Sequence, residues 1–315
     1  MNIAILGAGS LGSLLAGLIS QAPGVQLMVH GKGEHGAMMV AKGLAIQGKK
    51  TLTVDPEQAM FTLEEVGVPD ALHGTMDAVI LTGKAKSTAH LVDLAQQLLH
   101  SHGLAICLSN GLGHAEACIA QLGPHRVLAG TTTYAAWRPS PGVVQFAGVG
   151  NVVLGHLQGG PTHADAEPLL GLFARAGVHS EWTNNGPAAV WMKVLLNIAI
   201  NPIAALAGVT NGELLNPHLF SSALETMLEG ARIARQERVL LPDDLELEQR
   251  LQQVLEATAG NHCSMLQDVR AGRITEIAFL NRAVVERGER IGVAAPLNQM
   301  LSAMIEALTP GPNQH

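Results

Sequence analysis

Aromatic side chains are scarce: Phe, Trp and Tyr make up 3% of the 315 residues. Stacking surfaces for single-stranded nucleic acid are built from such rings, so one is not expected here. Surplus positive charge is also missing, with 19 Lys and Arg against 26 Asp and Glu and a formal net charge of −7. That balance argues against a polyanionic partner. Only three cysteines occur, Cys107, Cys118 and Cys263. They form no disulfide framework and leave one odd, the pattern of a reduced cytoplasmic protein. The 14 histidines show no metal-ligand spacing, so no metal is expected. The amino terminus is apolar but lacks the positively charged start of a signal peptide. Residues 188–209 (AAVWMKVLLNIAINPIAALAGV) have membrane-spanning length, yet they hold a lysine, two asparagines and a proline. Those residues are expensive in lipid, so a soluble protein without a membrane partner is expected.

What is present is an apolar fraction of 47%, ample for the cores of two domains. The first half alternates strand and helix. Apolar runs at Asn2–Leu6, Val25–Val29, Asp77–Thr82, Gly103–Ser109 and Arg126–Gly130 read as strands. Ser10–Ser20, Ser87–His100 and His114–Leu122 read as helices between them. This is the rhythm of a parallel doubly wound sheet. Gly142–Leu154 reads as two strands joined at a glycine turn, an antiparallel hairpin closing the domain. Beyond about residue 184 the pattern turns helical, at roughly 187–206, 217–238, 244–260, 262–271, 275–291 and 296–308. The expectation is α/β: an N-terminal Rossmann-type sheet domain over 1–184, then an all-helical domain over 185–315. The tail from Thr309 is expected to fray.

Gly7-Ala8-Gly9-Ser10-Leu11-Gly12 matches G-x-G-x-x-G directly after the first strand and before the first helix. Glycines there allow a tight turn and close approach of a pyrophosphate, and the helix start offers N–H groups and partial positive charge. At the end of the second strand, where an acidic residue would bind the ribose of NAD, stand His30 and Lys32. Two potential cations favour the 2′-phosphate of NADP(H); solvation of a surface loop is the competing explanation. Lys84 follows the strand at Asp77–Thr82 and suits a cofactor or substrate contact, whereas Lys86 reads as a solvated loop lysine.

Inside the apolar run, Lys193, Asn197 and Asn201 recur in steps of four and share one helix face. Buried without partners they would each cost free energy, so a wet cleft binding a small polar ligand is expected. Pro202 should kink the helix or free a carbonyl. Asn110, in an Asn-Gly turn at a strand end, could turn the chain or orient a ligand. Thr210-Asn211-Gly212-Glu213 reads as a capping box, a competing explanation for Asn211.

These residues together resemble the ketopantoate reductases (2-dehydropantoate 2-reductases). The resemblance rests on GAGSLG at 7–12, SNGLG at 109–113, GTTTYAA at 130–136, WMKVLLNIAINP at 191–202, NGEL at 211–214 and NHCSMLQDVRAGRITEI at 261–277. It implies a Rossmann domain followed by a helical one, NADP(H) as cofactor, and a small-molecule 2-oxo acid as substrate. It further implies that Lys193 is the general acid, assisted by Glu276. Asn110, Asn197, Asn201, Asn211, Asn261 and Ser264 would line the substrate site. The glycine loop, His30, Lys32, Lys84, Asn110, Ala136 and Glu276 would meet the cofactor. Relatives commonly carry an arginine where this chain has His30, and a basic or smaller residue where it has Trp137. The expected reaction is NADPH-dependent reduction of 2-dehydropantoate to pantoate, toward pantothenate and coenzyme A. The alternatives are a family reductase for another 2-oxo acid and a non-catalytic NADP-sensing regulator. A homodimer is one option for assembly.

Overall fold

The computed structural model describes residues 1–84 and 87–308; Lys86 and the tail from Thr309 lie outside the described residues. The chain packs as two compact units. One comprises residues 1–109 and 114–189, the other residues 110–113 and 190–315.

In chain order the first unit contains β1 (Asn2–Leu6), α1 (Ser10–Ile19), β2 (Gln26–Gly31), α2 (Gly33–Lys42), β3 (Leu44–Gly48), β4 (Leu52–Val54), β5 (Met60–Leu63) and β6 (Met76–Leu81). Then follow α3 (Thr88–Leu98), β7 (Leu99–Cys107), α4 (His114–Leu122), β8 (Val127–Thr132), β9 (Ala135–Ser140), β10 (Val143–Gly148), β11 (Val152–Gly155), α5 (Glu167–Arg175) and β12 (Ser180–Trp182). An eight-stranded sheet runs β12-β11-β8-β7-β6-β1-β2-β5. From β5 to β8 its pairings are parallel, and β11 joins β8 antiparallel. The central strands are buried on both faces and correspondingly apolar, with Ile3, Ile5, Ala78, Ile80 and Ile106 fully enclosed. Strand order reverses at β1, flanked by β2 and β6. Ligands of such sheets sit at that reversal, beyond the carboxyl ends of the strands.

The Gly142–Leu154 hairpin does not form. β10 pairs instead with β9 across the Pro141-Gly142 turn and with β3, while β11 joins the main sheet beside β8. Between them, Gly150 lies against the backbone of Thr133 and Tyr134, where a Cβ would not fit. The link therefore carries the chain from one sheet to the other. The second sheet, β4-β3-β10-β9, was not expected from the sequence. β2 also runs to Gly31, which places His30 within a buried strand instead of just past its end.

The second unit is helical. Its first helix, α6 (Gly186–Ala207), begins in the first unit and enters the second at Val190. It is long and apolar enough to cross a membrane, but 61% of its most apolar window is buried inside the protein, as in a core helix. α7 (Pro217–Gln236), α8 (Asp244–Ala257), α9 (Ser264–Arg270), α10 (Asn281–Ile291) and α11 (Pro296–Leu308) follow. Asn216 and Asp243 cap α7 and α8 by accepting from backbone N–H groups of His218 and Glu246. Gly230 of α7 faces the side chains of Leu195 and Ile198, where a Cβ would lie 2.8 and 2.6 Å away. The missing side chain lets α6 and α7 pack closely.

Candidate active site

In the first unit, the glycine turn fits a dinucleotide. Gly7 has φ +88, and a Cβ there would collide with the backbone of Gly83. Gly12 packs against Thr82, with Ile5 3.3 Å from where its Cβ would lie, the close helix–strand contact that the third glycine serves. Gly9 is open: the nearest atom to an added Cβ is its neighbour Gly7 O, 3.9 Å away. No side chain caps α1. The first-turn N–H groups of Ser10, Leu11 and Gly12 therefore lack intrahelical acceptors and suit phosphate oxygens. Gly7 and Ala8 differ, because their N–H groups already donate to His30 O at 3.1 and 3.0 Å. They shape the turn rather than offer donors.

His30 does not supply the expected positive charge. Its ring is 2% exposed, Nδ1 lies 2.9 Å from Thr62 Oγ1, and the buried Nε2 has no protein partner. Burial pushes the imidazole below its ordinary value, against the raising influence of Glu64. A neutral strand histidine results. Lys32 is exposed and lies 3.4 Å from Glu64 Oε2 and 3.3 Å from Ser87 Oγ. Gly33 N–H donates to Glu65 Oε1 at 3.0 Å. Two carboxylates thus reach the end of β2 from the residues after β5, and sequence reasoning missed both. Lys84 is exposed beyond the end of β6. Ala136 lies in β9 opposite Phe146, next to Trp137, which is 49% exposed.

In the second unit, the apolar faces of α6 are enclosed, with Trp191, Val194, Leu195, Ile198 and Ala199 at 3% exposure or less. Lys193 and Asn197 are half-buried and Asn201 is buried. Burial pushes the Lys193 ammonium down to about 8, while the Glu276 carboxylate acts to raise it. Asn110 Nδ2 donates to Glu276 Oε2 at 3.3 Å, and the Asn110–Gly113 loop packs as part of this unit. Leu112 N–H donates to Phe279 O at 2.9 Å, and Gly111, at φ +99, lies against the same carbonyl. Lys193, Glu276 and Asn110 are thereby linked, although far apart in sequence.

Other residues join through the backbone. Cys263 Sγ–H donates to Asn201 O at 3.5 Å, and the sulfur accepts from Leu266 N–H at 3.4 Å as the cap of α9. Ser264, the first residue of α9, is exposed beside that anchor. Asn211 N–H donates to Asn261 O at 2.9 Å. The Asn211 side chain donates to Thr258 Oγ1 at 2.9 Å, and its buried Oδ1 has no partner. The box partners are Thr210 and Glu213: Glu213 Oε2 accepts from Thr210 N–H and Oγ1–H at 2.8 and 2.9 Å. Cys263 could have been found from its place before a helix start; the partners of Glu64 and Glu65 had no local signal. Among the described residues no group of three or more His, Cys, Asp or Glu could hold a metal ion.

Comparisons with known proteins agree along the whole chain. Residues 3–159 match the family profile described as Ketopantoate reductase PanE/ApbA, and residues 187–309 match Ketopantoate reductase PanE/ApbA C terminal. A 2-dehydropantoate 2-reductase from Pyrococcus horikoshii is 35% identical over 98% of this chain and 97% of its own. The counterpart from Vibrio cholerae is 29% identical, covering 98% of both chains. Among solved structures, a ketopantoate reductase from Ralstonia eutropha JMP134 superposes with TM-score 0.85 at 28% identity, covering 98% of each chain. D-mandelate dehydrogenase with NADH and anilino(oxo)acetate gives TM-score 0.88 at 26% identity and the same coverage.

Proposed function

The chain belongs to the ketopantoate reductase family, and we propose that it reduces 2-dehydropantoate to pantoate with NADPH, on the route to pantothenate and coenzyme A. The observation that carries this reading is Lys193. A lysine lowered to about 8 by burial, with Glu276 opposing the shift and two amides on the same helix face, suits proton donation to a carbonyl.

NADPH, when bound, supplies the hydride. The N–H groups of Ser10, Leu11 and Gly12 would hold its pyrophosphate and Lys32 its 2′-phosphate, with Lys84, Asn110, Ala136 and Glu276 as further contacts. The substrate side belongs to the helical unit, and the sheet unit 1–184 is the dinucleotide domain in this reading. Lys193 Nζ–H donates to the carbonyl oxygen, stabilises developing alkoxide charge and releases its proton. Burial favours the neutral amine that remains. Asn197 and Asn201 each offer donor and acceptor to hydroxyl and carboxylate groups. Ser264 donates to the carboxylate, with Asn261 just before it in the chain and Asn211 joined to Asn261 by its backbone N–H. Glu276 accepts from a substrate hydroxyl and balances the charge on Lys193.

A second reading is a family reductase for another 2-oxo acid. It is favoured by the likeness to a D-mandelate dehydrogenase, and by the large exposed Trp137 beside the proposed cofactor contact Ala136. Initial rates over a panel of 2-oxo acids, each with NADPH and NADH, decide between them. The expected result is highest kcat/KM for 2-dehydropantoate with NADPH; higher turnover of an unrelated acid overturns the substrate assignment.

A further inference from the structure

Pro202 sits inside the continuous helix α6, one residue after Asn201. Proline has no N–H, so the carbonyl of Ile198 lacks its helical donor. Ile198 is fully buried, where water cannot replace that donor. An orphaned buried carbonyl is costly. Asn281, the first residue of α10, fills the gap: its Nδ2 donates to Ile198 O at 3.1 Å. The same Nδ2 donates to Asn298 Oδ1 at 2.9 Å. Both amide hydrogens thus meet acceptors, which fixes the orientation of the Asn281 side chain even though its buried Oδ1 has no partner.

The relay continues into the core. Asn298 Nδ2 donates to Thr226 O at 3.1 Å and to Glu229 Oε2 at 3.0 Å. The Glu229 carboxylate accepts the N–H groups of Leu297 and Asn298 at the start of α11, each at 3.1 Å. Asn281 and Asn298 are fully buried and Glu229 is 4% exposed. Three helices, α7, α10 and α11, are therefore tied by one relay to a carbonyl of α6, the one lying between Asn197 and Asn201.

We propose that Asn281 is a positioning residue of the reductase site: it replaces the hydrogen bond that Pro202 deletes and so holds Asn197 and Asn201 in register for the substrate. This rests on the reductase reading above. Lys193 lies more than a turn before the carbonyl that Asn281 serves, so the proton donor is insulated from the relay. The two amides flank it. Losing Asn281 should therefore weaken substrate binding without changing the pH dependence set by Lys193.

The test is a double-mutant cycle between Asn281→Leu and Pro202→Ala, read as kcat and KM for the oxo acid and for NADPH. Alanine at 202 restores an N–H able to meet Ile198 O, which makes the Asn281 donor redundant. Asn281→Leu alone is expected to raise KM for the oxo acid about tenfold, with KM for NADPH and the alkaline pH limb unchanged. In the Pro202→Ala background the same substitution should change that KM by less than about twofold. Equal effects in both backgrounds, or no KM effect in the native background, overturn the proposal. If Asn281→Leu does not fold, Asn281→Ser keeps a hydroxyl donor on a shorter side chain and leaves Asn298 with its bonds to Thr226 and Glu229. It should then show a smaller KM rise that disappears with Pro202→Ala, and an undiminished rise overturns the proposal. If the unsubstituted protein turns over no 2-oxo acid, the reductase reading fails. Coupling of positions 202 and 281 in thermal melts then still reports on the hydrogen-bond replacement, and strict additivity refutes it.

Discussion

Burial and the Glu276 carboxylate act in opposite directions on the Lys193 ammonium, and burial wins, leaving it at about 8. The proton-donor role proposed for Lys193 requires its charged form, so under that proposal kcat/KM should be level below that value and fall about tenfold per pH unit above it. In the reverse direction the neutral amine is needed, and the profile should rise through the same pH. Stability follows the linkage sign. The folded value lies below the ordinary 10.5, so the unfolded chain holds more protons between about 8 and 10.5. Stability should therefore rise with pH across that window, and urea melts of Lys193→Met should show the rise flattened. Replacing Lys193 by Ala should lower kcat by about 10²–10⁴ while NADPH binding, followed by fluorescence titration, persists. At the cofactor corner, Lys32 shares its charge with Glu64. Lys32→Ala should lower kcat/KM for NADPH about tenfold and leave NADH nearly unaffected, since a single charge-assisted contact is at stake. Equal losses with both cofactors would remove Lys32 from phosphate recognition.

Among the elements, α11 depends on a carboxylate from α7. Glu229 accepts two N–H groups at the α11 start and one amide hydrogen from Asn298. Glu229→Ala should cost about 2–3 kcal/mol in urea denaturation, the worth of hydrogen bonds to a buried charged group. A loss below about 0.5 kcal/mol would mean that the helix start finds other partners. Elements written into local periodicity were legible in the sequence. The parallel strands β1, β2, β6, β7 and β8 and the helices from α6 to α11 follow from apolar spacing and cap residues. Pro202 announced a freed carbonyl, but not that Asn281 would meet it. The second sheet was hidden because β3 finds its partner in β10, far along the chain, and strands as short as β4 carry little pattern of their own. The hairpin reading failed for a related reason. A glycine between two β runs marks a change of direction, not which strand each run will pair with. His30 looked like a loop cation because one further strand residue, Gly31, was needed to enclose it.

For the molecule as a whole, ligand linkage offers a test that needs no turnover. NADPH at about 100 times its Kd should stabilise the folded chain by about 2.7 kcal/mol, visible as a raised Tm. A Gly7→Val variant, which cannot keep φ +88 or clear Gly83, should lose that response. The division of the chain also bears on any attempt to isolate its parts. Residues 110–113 pack with the helices although both flanks belong to the sheet unit. The polypeptide thus passes between units three times, after residues 109, 113 and 189. A fragment starting at Val190 would lack Asn110 against Glu276 and Leu112 against Phe279. The helical half is therefore not a cassette that can be cut out or grafted whole. A split-protein complementation would have to carry those four residues in trans.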